Sequence, residues 1–99
     1  MSNFDVIVIG SGVNGLSSAA LLAKRGKRVL VLESNDCCGG AVRTEEVTLP
    51  GFKHDLFATN LRLFAGGPIM AALKDDLIRN GLEFVPSSKP FISLFPDGK

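Results

Sequence analysis

Charge of one sign is scarce in this chain. Eleven lysines and arginines face ten aspartates and glutamates, for a formal net charge of +1, and no basic or acidic block stands out. That balance excludes the electrostatic footprint of a nucleic-acid binder or of a protein held on an anionic membrane. Long hydrophobic runs are also missing. The longest falls far short of the roughly 20 residues needed to cross a bilayer, so no transmembrane segment is expected. The start of the chain has no basic stretch, and Asp5 stands just ahead of the first apolar run, which is not the pattern of a secretory signal. Cysteine is confined to the neighbours Cys37 and Cys38. Adjacent cysteines form no C-x-x-C redox pair, and without a histidine cluster they form no zinc site. They read as reduced thiols in a cytoplasmic protein, and no metal site is expected. The single histidine, His54, has no serine, cysteine or metal-ligand partner at a meaningful spacing, and reads as a loop or strand residue. Internal repeats and low-complexity tracts are absent.

Apolar residues are abundant. They make up 45% of 99 residues, with a mean hydropathy of +0.26. A chain of this size buries only a modest fraction of its surface. So many apolar side chains point to a piece of something larger, or to a chain with a partner.

The most specific pattern lies in residues 5–33. A strand, Asp5-Val6-Ile7-Val8-Ile9, runs into Gly10-Ser11-Gly12-Val13-Asn14-Gly15, a helical stretch follows, and a second apolar strand ends in Glu33. A bare G-x-G-x-x-G is weak evidence. Here it follows a strand, opens a helix, and has an acid 18 residues past its last glycine. That context marks a dinucleotide-binding βαβ unit. Gly10 permits the tight turn, Gly12 lets a pyrophosphate approach the backbone, and Gly15 lets the helix pack closely. The free N–H groups of the first helical turn, with the helix dipole, favour an anion. Ser11, Val13 and Asn14 would add backbone N–H groups or short contacts. Glu33 would accept hydrogen bonds from ribose hydroxyls, and its charge would repel a 2′-phosphate. A glycine-rich turn that binds nothing is the bland alternative.

The spacing predicts a helix over Val13–Lys24, with Leu16, Ala19, Ala20 and Ala23 as an apolar face suited to a sheet, and Gly26 as its cap. Residues 28–33 read as a parallel strand whose core, Val29-Leu30-Val31-Leu32, is continuously apolar, as expected when both faces are covered. Residues 34–43 form a loop. Residues 44–49 and 52–58 could pair as a hairpin around the Pro50-Gly51 turn. Gly66-Gly67-Pro68 introduces a helix whose apolar face is Ile69, Ala72, Leu73 and Leu77, capped by Gly81. Residues 82–85 and 91–95 read as short strands. Pro96-Asp97-Gly98 is a turn that normally leads into a returning strand.

The fold expected is therefore α/β: a Rossmann-type βαβ unit in an incomplete doubly wound sheet, with an added helix and short strands. Only two strands clearly belong to that sheet. The chain reads as the N-terminal portion of an FAD/NAD(P)-binding domain in a longer protein, with a βαβ core at 4–33, a loop at 34–43, and the start of an inserted or substrate-domain segment at about 44–99.

Past Glu33 the pattern grows more specific. The run Val29-Leu30-Val31-Leu32-Glu33, then Gly39-Gly40, then Arg43-Thr44 resembles a large group of flavoproteins that includes amine oxidases, protoporphyrinogen oxidase and phytoene desaturases. Pro50-Gly51-Phe52-Lys53-His54-Asp55 is similar to the Gly-Phe-x-x-Asp segment of the phytoene-dehydrogenase-like branch. The resemblance covers essentially the whole chain, is specific over residues 5–44, and weakens after about residue 60. It implies an FAD-binding oxidoreductase in which flavin N5 takes a hydride from a C–H or C–N bond of a small, apolar substrate. It also implies that Gly39 and Gly40 bring backbone beside the FAD pyrophosphate and ribityl chain. In that group an arginine commonly follows the glycine pair directly. Here that position is Ala41, and the nearest arginine is Arg43, a residue that could serve the cofactor or sit on a solvated loop. The phytoene desaturases usually continue past the aspartate with a glycine and proline, where this chain has Leu56-Phe57-Ala58. The sequence assigns no catalytic residues; His54 and Asp55 qualify only by chemical type. Two other readings stay open: an NAD-binding dehydrogenase piece, and a non-catalytic fragment acting as a binding module. Expected partners are the remainder of the enzyme or a second copy of the chain.

Overall fold

In the computed structural model, residues 3–98 are described. Their elements run β1 (Val6–Ile9), α1 (Val13–Lys24), β2 (Val29–Leu32), β3 (Thr44–Glu45), β4 (His54–Asp55), α2 (Arg62–Ala65) and α3 (Pro68–Arg79). β1 and β2 pair in parallel, with Val6 opposite Val29 and Ile9 opposite Leu32. Below the pair, the Asp5 carboxylate accepts from the Arg28 backbone N–H at 2.8 Å and pairs with its guanidinium at 3.1 Å. Above it, the Gly10 N–H donates to Leu32 O at 2.7 Å and carries the pairing into the turn.

α1 crosses over one face of this two-stranded sheet. The helix begins and ends where its spacing predicts, and Gly26 closes it with φ +80°. Its buried residues are Ser17 and Ala19. The predicted apolar face is thus only partly the sheet-facing one. Leu16 and Ala20 instead line an apolar cleft of about 440 Å³, with Val13, Val42, Leu73 and Leu77 around them, and Ala23 is exposed. The reason is a helical repeat that puts two adjacent stripes of small apolar residues on α1, one for the sheet and one for α3. Strands alternate their side chains between faces. Val6 and Val8 are half-buried, while Ile7 and Ile9 are 58% and 87% exposed on the face that α1 does not cover.

α3 starts at Pro68 as expected and lies against α1. Met70 and Leu73 are its buried residues, and Lys24 Nζ reaches across from α1 to Ala72 O at 2.9 Å and to the Asp76 carboxylate at 3.1 Å. The short helix α2 was not anticipated; four residues are too few for a periodic signal. The hairpin forms, but its ladder is brief. β3 and β4 pair Thr44 with Asp55 and Glu45 with His54, and hydrogen bonds from Leu56 to Arg43 and from Ala58 to Ala41 extend the contact. The Pro50-Gly51 turn closes with the Phe52 N–H on Leu49 O at 3.1 Å.

Two expected strands do not form. Residues 82–85 and 91–95 lie outside any strand. A strand exists only by pairing, and these segments, separated by Pro86 and Pro90, meet no partner edge among the described residues. The turn after them does form, with the Gly98 N–H on Phe95 O at 2.9 Å.

Candidate functional site: a glycine cradle with a pinned carboxylate

Three sequence-distant segments meet at the carboxyl end of the parallel strands: the turn 10–15, Glu33 at the end of β2, and the glycine pair. Gly39 and Gly12 form an isolated parallel bridge, and the Gly39 N–H donates to Ser11 O at 2.8 Å. Gly39 and Gly40 have φ values of +114° and +60°, a region that side-chain-bearing residues rarely adopt. A Cβ on Gly40 would lie 3.0 Å from Gly12 Cα, so the pair is also needed for contact with the turn.

The glycines of the turn do different jobs. A Cβ at Gly15 would stand 2.1 Å from Gly10 O, so that position is closed by the fold itself. A Cβ at Gly12 would meet nothing within 4 Å, and its φ of −72° suits any residue. Neither protein packing nor backbone geometry requires glycine there. The open space is where a ligand would press on the backbone. Helix α1 begins at this point with no side-chain cap and no acid in its first turn. Its first N–H groups and its dipole are therefore left for an anion.

Glu33 is held tightly. Its Oε2 accepts from the Ser11 backbone N–H at 2.8 Å and from the Ser11 hydroxyl at 2.6 Å. Its Oε1 accepts from the Asn35 backbone N–H and the Asn35 carboxamide, both at 2.9 Å. The Ser11 hydroxyl first, then the backbone N–H groups of Asn35 and Ser11, bring the Glu33 carboxyl down to about 2. It is a carboxylate at neutral pH, able to accept hydrogen bonds and to repel a phosphate monoester.

The remaining predicted residues are less involved. Asn14 is exposed at the start of α1, and Val13 lines the apolar cleft. Ala41 is exposed, and its carbonyl accepts the Ala58 N–H at 3.1 Å. The Arg43 guanidinium pairs with the Glu45 carboxylate, which is the main cause of its raised pKa. Its Nε is buried and has no hydrogen-bond partner among the described residues. His54 Nε2 lies 2.8 Å from the Thr48 hydroxyl, and Asp55 accepts from the Thr44 hydroxyl at 2.5 Å; both serve the hairpin. Sequence reasoning missed Asn35 as a partner of Glu33. An Asx residue two positions after an acid in a loop was its only trace.

A parallel strand pair, a glycine turn at a helix start and an ionised acid at the end of the second strand together define a dinucleotide-binding Rossmann unit. The chain belongs to the NAD(P)-binding Rossmann-like domain family, whose pattern it matches over residues 8–77. It is 40% identical over 94 residues to an all-trans-retinol 13,14-reductase of Macaca fascicularis, a match covering 95% of this chain and 15% of that protein. It is 45% identical over 64 residues to a limonene dehydrogenase polypeptide of Castellaniella defragrans, covering 65% of this chain and 11% of that protein. With the flavin-containing amine oxidase A of Equus caballus it shares 56% identity over 41 residues, covering 41% of this chain and 8% of the relative. The chain therefore spans only about 15% of the length of the first of these relatives. No helix among the described residues is long and apolar enough to cross a membrane.

Proposed function

We propose that this chain is the dinucleotide-binding part of an FAD-dependent oxidoreductase, and that Gly10 to Gly15, Glu33 and Gly39-Gly40 hold the adenosine and pyrophosphate of the cofactor. The single observation that carries the reading is Gly12: a glycine that the fold does not require, facing open space where a helix start and an ionised carboxylate converge. The residues present fit the group. The first turn of α1 receives the pyrophosphate, the glycine pair keeps side chains out of its path, and Glu33 faces the ribose. Arg43 pairs with Glu45 and its Nε is buried, so it is not among the contacts to the cofactor. FAD would supply the hydride acceptor; the chain's own residues bind it and exclude side chains from its approach.

Support for flavin over nicotinamide comes from the relatives named as flavin-containing, with 56% identity across 41 aligned residues in one of them. The substrate we propose is a small apolar molecule. Relatives named for retinol and limonene, both largely hydrocarbon, favour it. Catalytic groups lie outside the assigned residues. A cytoplasmic setting is proposed on the two free, exposed thiols of Cys37 and Cys38. A second reading, a nicotinamide dinucleotide on the same turn, is favoured by the name of the matching family.

The experiment is purification of the full-length protein and chromatography of the nucleotide released by acid. Stoichiometric FAD supports the proposal. Release of NAD in its place transfers the site to the second reading, and a colourless, nucleotide-free protein that takes up neither refutes both.

A further inference from the structure

The Glu33 carboxylate is full before any ligand arrives. Ser11 places two donors on Oε2, at 2.8 and 2.6 Å. Asn35 places two on Oε1, both at 2.9 Å, and the Ser34 hydroxyl adds a third at 3.3 Å. An ionised carboxylate has about four lone-pair positions, two on each oxygen. A ribose hydroxyl can reach Glu33 only by replacing a donor already there.

The donors are not equally replaceable. Ser11 is 3% exposed, and its carbonyl is fixed by the Gly39 N–H at 2.8 Å. Both of its donors converge on one oxygen from a turn that the sheet and α1 hold in place. Ser34 and Asn35 are exposed on the loop after β2, and their side chains are free to rotate away. The Asn35 backbone N–H remains on Oε1 whatever its side chain does.

We propose that Ser11 is a positioning residue that anchors Glu33 through Oε2, and that the Asn35 carboxamide, with the Ser34 hydroxyl, occupies on Oε1 the place that a ribose hydroxyl of the dinucleotide takes on binding. The proposal rests on the dinucleotide reading above. It gives the two residues different effects on the same ligand: loss of the Ser11 hydroxyl weakens binding, whereas loss of the Asn35 carboxamide does not. Ser11 keeps the acceptor aimed and ionised; Asn35 competes for it. The exchange of one donor for another costs little, because the acceptor is satisfied before and after. No ion pair reaches Glu33 among the described residues, and the groups facing its carboxylate are Ser11 from the turn and Ser34 and Asn35 from the loop.

The test is titration of FAD into the deflavinated full-length protein, with Ser11→Ala and Asn35→Ala compared across pH. Ser11→Ala is expected to raise Kd about tenfold or more, the scale of a lost hydrogen bond to a charged group. It should also shift the loss of affinity at low pH upward, because Glu33 then takes up its proton more readily. Asn35→Ala is expected to leave Kd unchanged or to lower it. An unchanged Kd and pH profile in folded Ser11→Ala overturns the anchoring role. A rise in Asn35→Ala beyond about twofold overturns the competing one, and this exposed loop variant keeps the test available if Ser11→Ala fails to fold. Wild-type protein that takes up no FAD at all counts against the dinucleotide reading itself, whereas FAD uptake with both variants unaltered counts against this inference alone.

Discussion

Two glycines of one turn differ in what a side chain would meet. Gly15 has backbone 2.1 Å from where a Cβ would sit, and Gly12 has open space. Gly12→Val is therefore expected to leave the fold intact and abolish flavin retention in the full-length protein. Gly15→Ala is expected to disturb the turn and lower stability as well. Circular dichroism alongside flavin content distinguishes the two. Glu33→Ala should raise the FAD dissociation constant roughly ten- to a hundredfold, the range for hydrogen bonds to a charged group, while the phosphate cradle persists. The pH dependence follows from the same residue. The Glu33 carboxyl is lowered from 4.5 to about 2 by Ser11 and Asn35. A depressed acid stabilises the folded state above its unfolded pKa, and that contribution is lost as pH falls through the folded value. In acid titration of wild-type and Glu33→Gln proteins, the difference in stability should be constant near neutrality and vanish between about pH 4.5 and 2.

Among the elements, α1 is the hinge of the arrangement, packing on the sheet through one stripe and on α3 through another. Leu73 is the most buried apolar residue of that second contact, at 6% exposure. Leu73→Ala should cost about 2–3 kcal/mol, the low end of large-to-small core changes, because the adjoining cleft already lets the site relax. The Lys24–Asp76 bridge spans the same helices, but both side chains are about half exposed, and such pairs contribute little. Asp76→Ala should leave the unfolding midpoint nearly unmoved where Leu73→Ala lowers it. Equal losses from both would mean that the bridge fastens α3 as strongly as the apolar contact does. The short hairpin ladder and the unpaired segments 82–85 and 91–95 follow the same logic of partners. Their apolar, strand-forming residues are present, but no edge is there to receive them.

Across the whole molecule, surface outweighs core. A compact chain of this mass exposes about 5,400 Å² by the usual scaling, and this one exposes 8431 Å². Its radius of gyration is 17.2 Å, against about 13 Å for a compact domain of this length. The excess is apolar in large part: Ile7 and Ile9 on the open sheet face, and Phe91, Ile92 and Leu94 near the C-terminal end are all more than half exposed. Exposed patches of this kind drive association. The isolated 99-residue chain is expected to hold flavin poorly and to sediment as an oligomer or aggregate. A monodisperse monomer with stoichiometric FAD in analytical ultracentrifugation would show that this surface is tolerated in water.

Local order in the sequence determined the glycine turn, the span of α1, the apolar runs of β1 and β2, the Pro68 helix start and the Pro50-Gly51 turn. Each depends on neighbours within a few positions: a left-handed glycine, a proline with fixed φ, a 3.6-residue period. The site's outer parts depended on contacts across twenty or more residues. That Gly39 closes against Gly12 and that Ser11 turns its hydroxyl to Glu33 were not readable for that reason; Asn35, only two residues from Glu33, was missed because such a hydrogen bond leaves no period to detect. The same limit explains the two strands that did not form. An alternating or apolar run records the capacity to pair, whereas pairing itself needs an edge that only tertiary structure supplies.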